Sequence, residues 1–203
     1  MEFDWKFLAI FLPSVLSAAS GLGGVLLGSK LTSRREVLRD AELRTQELSY
    51  LAILMSAHLD QFVERCLAVS FDDGTRYGAP SRGDGTYEPT EDLPEFEPLK
   101  IDVKWKILPP DLLYGILNLP YKVEQMRRYT NNVSENDHPP DYADFFHARQ
   151  GGFARIGIEA MELAQRLRVR ADLPSPPARP GGWDLESTLR ERAKKFSDSE
   201  SLT

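Results

Sequence analysis

A run of 22 residues without a charge, from Phe7 to Gly28, constrains this chain more than any other feature of its sequence. A helix over that run would be about 33 Å long, and the hydrocarbon core of a bilayer is about 30 Å thick. In lipid every main-chain donor and acceptor must be bonded within the segment, and for a single segment only a helix achieves this. We therefore expect residues 1–29 to form an N-terminal transmembrane anchor.

A cleavable signal peptide is the alternative interpretation of the same run. Its apolar core would be Phe7 to Leu16, followed by small residues at Ser17-Ala18-Ala19 that resemble a cleavage site. Export signals begin with basic residues, whereas Glu2 and Asp4 outnumber Lys6 here. The apolar run also continues to Leu27, beyond that cleavage site. The sequence favours the anchor and leaves cleavage open.

Flanking charge predicts the orientation of the anchor. The segment that follows it has a net charge of +3, because four cations stand against Glu36. Cytoplasmic flanks of membrane helices are enriched in Lys and Arg, so we expect the N-terminus outside the cell membrane and the remaining chain in the cytoplasm. The same cations are expected to contact anionic lipid. They are Lys30, Arg34, Arg35 and Arg39.

Small residues recur every four positions along the run, at Ser20, Gly24 and Gly28. Such a stripe allows two membrane helices to approach closely. It predicts a helix-packing surface within the membrane and a protein partner, either another protein or a second copy of this chain.

Apolar residues spaced by three and four predict two long amphipathic helices in the rest of the chain. Residues 30–47 read as a charged juxtamembrane helix, and a bundle follows over residues 48–172. A third helix, opened by Pro109-Pro110, lies between the two stripes, and Pro120 is expected to kink or split it. The prediction is an all-α fold, in which a single transmembrane helix continues into a three- or four-helix antiparallel bundle with coiled-coil-like seams. The first stripe is Leu48, Leu51, Met55, Leu59, Phe62, Cys66 and Val69; the second is Tyr142, Phe146, Arg149, Phe153, Ile156, Ala160, Leu163 and Leu167.

Two segments between the stripes depart from the helical pattern. Residues 72–98 hold eight acidic residues against Arg76 and Arg82 and read as one long acidic loop. Leu99 to Ile107 alternates apolar with polar residues, which indicates either a strand or an extended segment packed over the bundle.

The C-terminal part, residues 173–203, reads as a linker, a short helix and a tail. Proline dominates the linker at residues 173–182, where polyproline II is the expected conformation. A basic amphipathic helix is predicted from Trp183 to Phe196, with Leu185, Leu189 and Phe196 on its apolar side. Disorder is predicted from Ser197 onward.

Residues that could carry chemistry are sparse. Cys66 is the single cysteine and lies in an apolar stripe, which predicts a buried side chain and excludes an intrachain disulfide. No complete metal, cofactor or small-molecule motif is present, since the Glu-x-x-His spacing of metal-binding bundles occurs only once, at Glu135 and His138. The pI of about 5.2 argues against nucleic-acid binding. The weak catalytic candidates are His147 and Arg149, although a buried ion pair is the simpler interpretation of Arg149.

The sequence therefore predicts a single-pass membrane protein that acts as a non-catalytic adaptor, scaffold or regulatory subunit. The alternative is an enzyme or toxic effector of unfamiliar type that acts on nucleic acid or another cytoplasmic substrate. Alanine at both His147 and Arg149 would separate the two hypotheses.

Overall fold

The computed structural model describes the backbone of residues 5–176 and 183–200, and the side chains of residues 33–176 and 183–196. Helices dominate these ranges, so the all-α prediction is confirmed at this level. The α-helices are α1 (Trp5–Phe71), α2 (Pro110–Asn136), α3 (Ala143–Arg170) and α4 (Leu185–Glu200). Two strands, β1 (Thr75–Arg76) and β2 (Ala79–Pro80), and two 3-10 helices, Pro98–Lys100 and Trp105–Ile107, lie between α1 and α2.

Among the residues whose side chains the structure describes, no helix is both long and apolar enough to cross a bilayer. The backbone of α1 is helical through the run from Phe7 to Gly28. The side chains of that run lie outside the described residues, and so do those of Ser20, Gly24, Gly28 and Lys30.

The chain divides into two compact units, residues 1–46 and 47–203. In the first unit every described side chain, from Ser33 to Gln46, is exposed, and these include the cations Arg34, Arg35 and Arg39. The second unit contains the hydrophobic core.

Both predicted stripes supply the core of the second unit. Leu48 is half-buried and Tyr142 is also partly exposed, whereas every other member of the two stripes is buried. Spacing by three and four places these side chains on one face of each helix, which is why the pattern identified them. Helix α2 contributes Leu112, Ile116 and Leu119 to the same core.

Cross-helix ion pairs define the direction of α3. Arg168 pairs with Asp60 near one end of the bundle, and Arg149 pairs with Asp72 near the other. Because residue numbers rise along α1 as they fall along α3, the two helices are antiparallel.

Helix α2 is also antiparallel to α3. Asp111 pairs with Arg166, and Lys122 lies 2.5 Å from Glu159. Both α1 and α2 are therefore antiparallel to α3, and they are parallel to each other. The long connection over residues 72–109 makes this possible, because it carries the chain back along α1 before α2 begins; Lys104 near its end pairs with Glu47.

Residues 99–107 form no strand. Their main chain forms consecutive tight turns and not the hydrogen bonds of a paired strand. The N–H of Val103 donates to the carbonyl of Ile101, and the N–H of Trp105 donates to the carbonyl of Val103, both at 3.1 Å. These two-residue steps still place alternate apolar side chains against the core, which explains the alternation without a partner strand.

Helix α2 continues without interruption through Pro120 and ends at Asn136, so it is not split. The polar residues 131–136 form the last six positions of α2. Burial of the apolar face of α2 outweighs the local preference of this sequence for a turn.

Helix α4 packs on α3 through a glycine-lined face. Leu189 and Phe196 of α4 are buried, and a Cβ at Gly151 of α3 would lie only 2.1 Å from the Cβ of Phe196. The helix continues to Glu200, so the tail expected from Ser197 is helical as far as the structure describes it.

Candidate functional site

A buried polar cluster joins the end of α1, the acidic loop and α3. Asp72 follows the last residue of α1, and its carboxylate accepts hydrogen bonds from the N–H of Gly74 at 3.1 Å and the hydroxyl of Thr90 at 2.9 Å. The main-chain N–H groups of Thr90 and Glu91 donate to the same carboxylate, each at 3.1 Å. The cluster therefore holds both ends of the loop segment 72–91 on one side chain.

Arg149 completes the cluster from α3. Its Nη1 donates to Oδ2 of Asp72 at 2.5 Å, and its Nη2 donates to the main-chain carbonyl of Glu91. Gln150 adds a bond to the carbonyl of Asp72 at 2.8 Å. The side chains of Arg149 and Asp72 are 3% and 0% exposed, so neither can meet a substrate in solvent.

The hydrogen bonds at Asp72 also determine its charge. Burial raises the pKa of the Asp72 carboxyl. Hydrogen bonds to its ionised form lower the pKa by more than burial raises it; the donors are the N–H groups of Gly74, Glu91 and Thr90 and the hydroxyl of Thr90. The net result is that the pKa of Asp72 lies below its ordinary value. Asp72 is therefore ionised at neutral pH, and Arg149 balances its charge.

Two glycines with positive φ allow the loop to fold back over this cluster. Gly74 has φ +73°, and a Cβ there would lie 2.4 Å from Cζ of Phe146. Gly78 and Tyr77 both have positive φ, as the two-residue turn between β1 and β2 requires.

A groove lies beside the cluster, between α2 and the segment of the acidic loop from Thr90 to Pro98, which we call the strap. Arg65 and Ala68 of α1 form its floor, and Pro120 and Val123 belong to the α2 wall. Its volume of about 1030 Å³ slightly exceeds the ~300–1,000 Å³ typical of small-molecule pockets.

The strap has an alternating pattern of burial. Pro94, Phe96 and Pro98 are buried, and the ring of Phe96 packs 5.2 Å from that of Phe62. Glu95 and Glu97, between them, are exposed. The strap is therefore attached to α1 through one side and presents carboxylates on the other.

The predicted site residues do not form one site. Arg149 belongs to the buried cluster, whereas His147 is half-buried with its ring 5.3 Å from that of Phe196. Cys66 is fully buried, and burial raises the pKa of its thiol. Among the described residues, no group of three or more His, Cys, Asp and Glu side chains could hold a metal ion. The catalytic role of His147 and Arg149 stays a prediction.

The sequence does not identify Asp72, Thr90 and Glu91 as a unit. The local signal is Asp72-Asp73-Gly74, since an aspartate in such a turn commonly bonds to main-chain N–H groups two residues on. Nothing in the sequence connects Asp72 to Thr90, because that contact depends on the path of the loop.

Comparison with known proteins adds no relative: no family model, curated protein or solved structure matches this chain. Its function must therefore be inferred from its own residues.

Proposed function

We propose that this protein is a single-pass membrane protein whose helical bundle acts as a non-catalytic adaptor, scaffold or regulatory subunit on the cytoplasmic side of the cell membrane. The observation that carries the proposal is the run from Phe7 to Gly28, which has the length and composition of a membrane span and is followed by a basic segment. Lys30, Arg34, Arg35 and Arg39 contact anionic lipid in this arrangement.

Two features of the bundle support a binding role over a catalytic one. The buried ionisable groups Asp72 and Arg149 satisfy each other and the main chain of the loop, which is a structural task. The groove beside them, with a volume of about 1030 Å³, lies at the surface of the bundle, where part of a partner can reach it. Ser20, Gly24 and Gly28 provide the helix-packing surface for a second copy or another membrane protein.

Membrane attachment is tested by a charge substitution in the middle of the run. Val15→Arg with Leu16→Arg places two cations at the bilayer centre, where each costs about 2.5–3.5 kcal/mol in insertion. The parent protein is expected in the membrane pellet after a sodium carbonate wash, and the variant in the supernatant. Val37→Arg with Leu38→Arg is the matched control, because the same two residue types are 64% exposed there. Full-length parent protein in the supernatant would overturn the proposal.

Orientation and cleavage need separate readouts. Alkaline phosphatase fused to the C-terminus should be inactive and a cytoplasmic reporter active at the same position. An active phosphatase would contradict the orientation. A mature protein that lacks its first residues, seen by mass spectrometry of the intact chain, would replace the anchor with a signal peptide.

A further inference from the structure

We propose that the groove between the strap and α2 binds an extended, basic segment of a partner polypeptide, which pairs with the main chain of the strap. This inference rests on the adaptor role proposed above and specifies how the partner is recognised. Three observations carry it: unpaired main-chain groups, the composition of the groove walls, and the charge of the strap.

The main chain of residues 92–96 makes no hydrogen bond with any group in the described part of the chain. On one side of this segment, the main-chain N–H and carbonyl of Glu91 are hydrogen-bonded within the Asp72 cluster. On the other side, the carbonyl of Glu97 accepts a hydrogen bond from the N–H of Lys100 at 3.1 Å. An extended chain with free N–H and carbonyl groups is a template for another strand, as in other cases of strand addition.

Rigid attachment prepares the strap for this role. The Asp72–Arg149 cluster holds it at one end, and the buried rings of Pro94, Phe96 and Pro98 fix its middle and far end. A segment held in place before binding loses little conformational entropy when a partner pairs with it.

The opposite wall of the groove contains Pro120 in the interior of α2. A proline there has no N–H, so the carbonyl of Ile116 lacks its normal helical donor. The half-buried side chains of Pro120, Val123 and Leu93 make this part of the groove apolar. An incoming chain with alternating apolar residues would cover these side chains.

Charge identifies the occupant as basic. Glu91, Asp92 and Glu95 line the groove, are exposed, and have no ion-pair partner among the described residues. Two cations also line the groove, Arg65 and Arg127, and Arg127 shares the carboxylate of Glu124 with Arg128. The carboxylates of Glu91, Asp92, Glu95 and Glu97 outnumber these two cations, so the lining remains negatively charged. A segment that alternates Lys or Arg with apolar residues would therefore satisfy the carboxylates and the apolar surface together.

The test uses the full-length protein in a neutral maltoside detergent and a fluorescent seven-residue peptide that alternates lysine with valine or leucine. Fluorescence anisotropy should show saturable binding of this peptide. A peptide with glutamate in place of lysine should not bind. Two further peptides carry N-methyl groups on every second main-chain nitrogen, one on the odd positions and one on the even positions. Methylation keeps the charge and the side chains but removes main-chain donors, so at least one of these two peptides should not bind.

Variants locate the site. Glu91→Gln with Glu95→Gln should weaken binding of the lysine peptide about three- to tenfold, since each exposed ion pair contributes modestly. Asp102→Asn with Glu135→Gln removes the same number of exposed carboxylates elsewhere and should leave binding unchanged.

Three results would overturn the inference: no binding of the lysine peptide, binding of both methylated peptides as strong as that of the unmethylated peptide, or equal effects of the two pairs of variants. None of these results depends on whether the parent protein stays in the membrane pellet after the carbonate wash. The proposals of membrane attachment and of peptide binding in the groove can therefore be rejected independently.

Discussion

The guanidinium of Arg149 and the carboxylate of Asp72 are separated by 77 residues in sequence, yet they form a buried ion pair at 2.5 Å that joins α3 to the end of α1. The same arginine bonds to the main chain at Glu91 and thereby fixes the start of the strap. This pair links the core of the bundle to the surface that we propose as a binding groove.

Replacement of Arg149 by methionine should destabilise the fold. The variant leaves the buried carboxylate of Asp72 without its counter-charge, a loss of about 3–5 kcal/mol in the free energy of unfolding. Urea denaturation followed by circular dichroism measures it. Arg166→Met is the matched control on the same helix, because Arg166 and Asp111 are about half exposed or more, and such a pair is worth about 0–1 kcal/mol. Equal losses in the two variants would contradict the structural role of Arg149.

Stability should fall in acid partly through Asp72. The pKa of Asp72 is lowered in the folded protein, so this carboxylate stabilises the fold above its unfolded pKa of about 3.9. That contribution is lost as the pH falls through the folded pKa, because the unfolded chain then binds the proton more readily. Melting temperatures between pH 6 and pH 2 should therefore decrease less in Asp72→Asn than in the parent. The exposed control Asp102→Asn should follow the parent, and a parallel decrease in Asp72→Asn would exclude this contribution.

A side chain at Gly151 should displace α4. The Cβ introduced by Gly151→Val would overlap Phe196, and overpacking of this kind typically costs about 1–3 kcal/mol. Hydrogen exchange measured by mass spectrometry should show faster exchange over residues 185–196, with α2 unchanged. Gly83→Val is the control, since nothing lies within 4 Å of a Cβ at that position. Unchanged protection of α4 in Gly151→Val would show that this contact is not what holds the helix.

The thiol of Cys66 should resist modification in the folded protein. It is 0% exposed, and burial raises its pKa, so little reactive thiolate is available. Maleimide should label the native protein slowly and the urea-unfolded protein completely, which mass spectrometry detects because the chain has one cysteine. Ala57→Cys adds an exposed thiol on the same helix and should be labelled at once. Rapid labelling of Cys66 in native protein would indicate an open core.

The sequence by itself determined the main core helices and which of their faces are buried. Stripes at 48–69 and 142–167 identified two core helices because burial of an apolar face follows the helical period directly. Leu189 and Phe196 were recognisable in the same way. Local alternation at residues 99–107 was less informative, since tight turns produce the same two-residue period as a strand.

Only the tertiary structure decided how these elements are connected in space. The parallel arrangement of α1 and α2, the bond between Asp72 and Thr90 and the approach of Phe196 to Gly151 all depend on the path of long connections. Periodicity records whether a side chain faces the core, but it does not record which distant residue it meets there. The strap is an example. Its sequence predicts only an irregular acidic loop, whereas in the fold one of its sides packs against the core and its main chain is left unpaired.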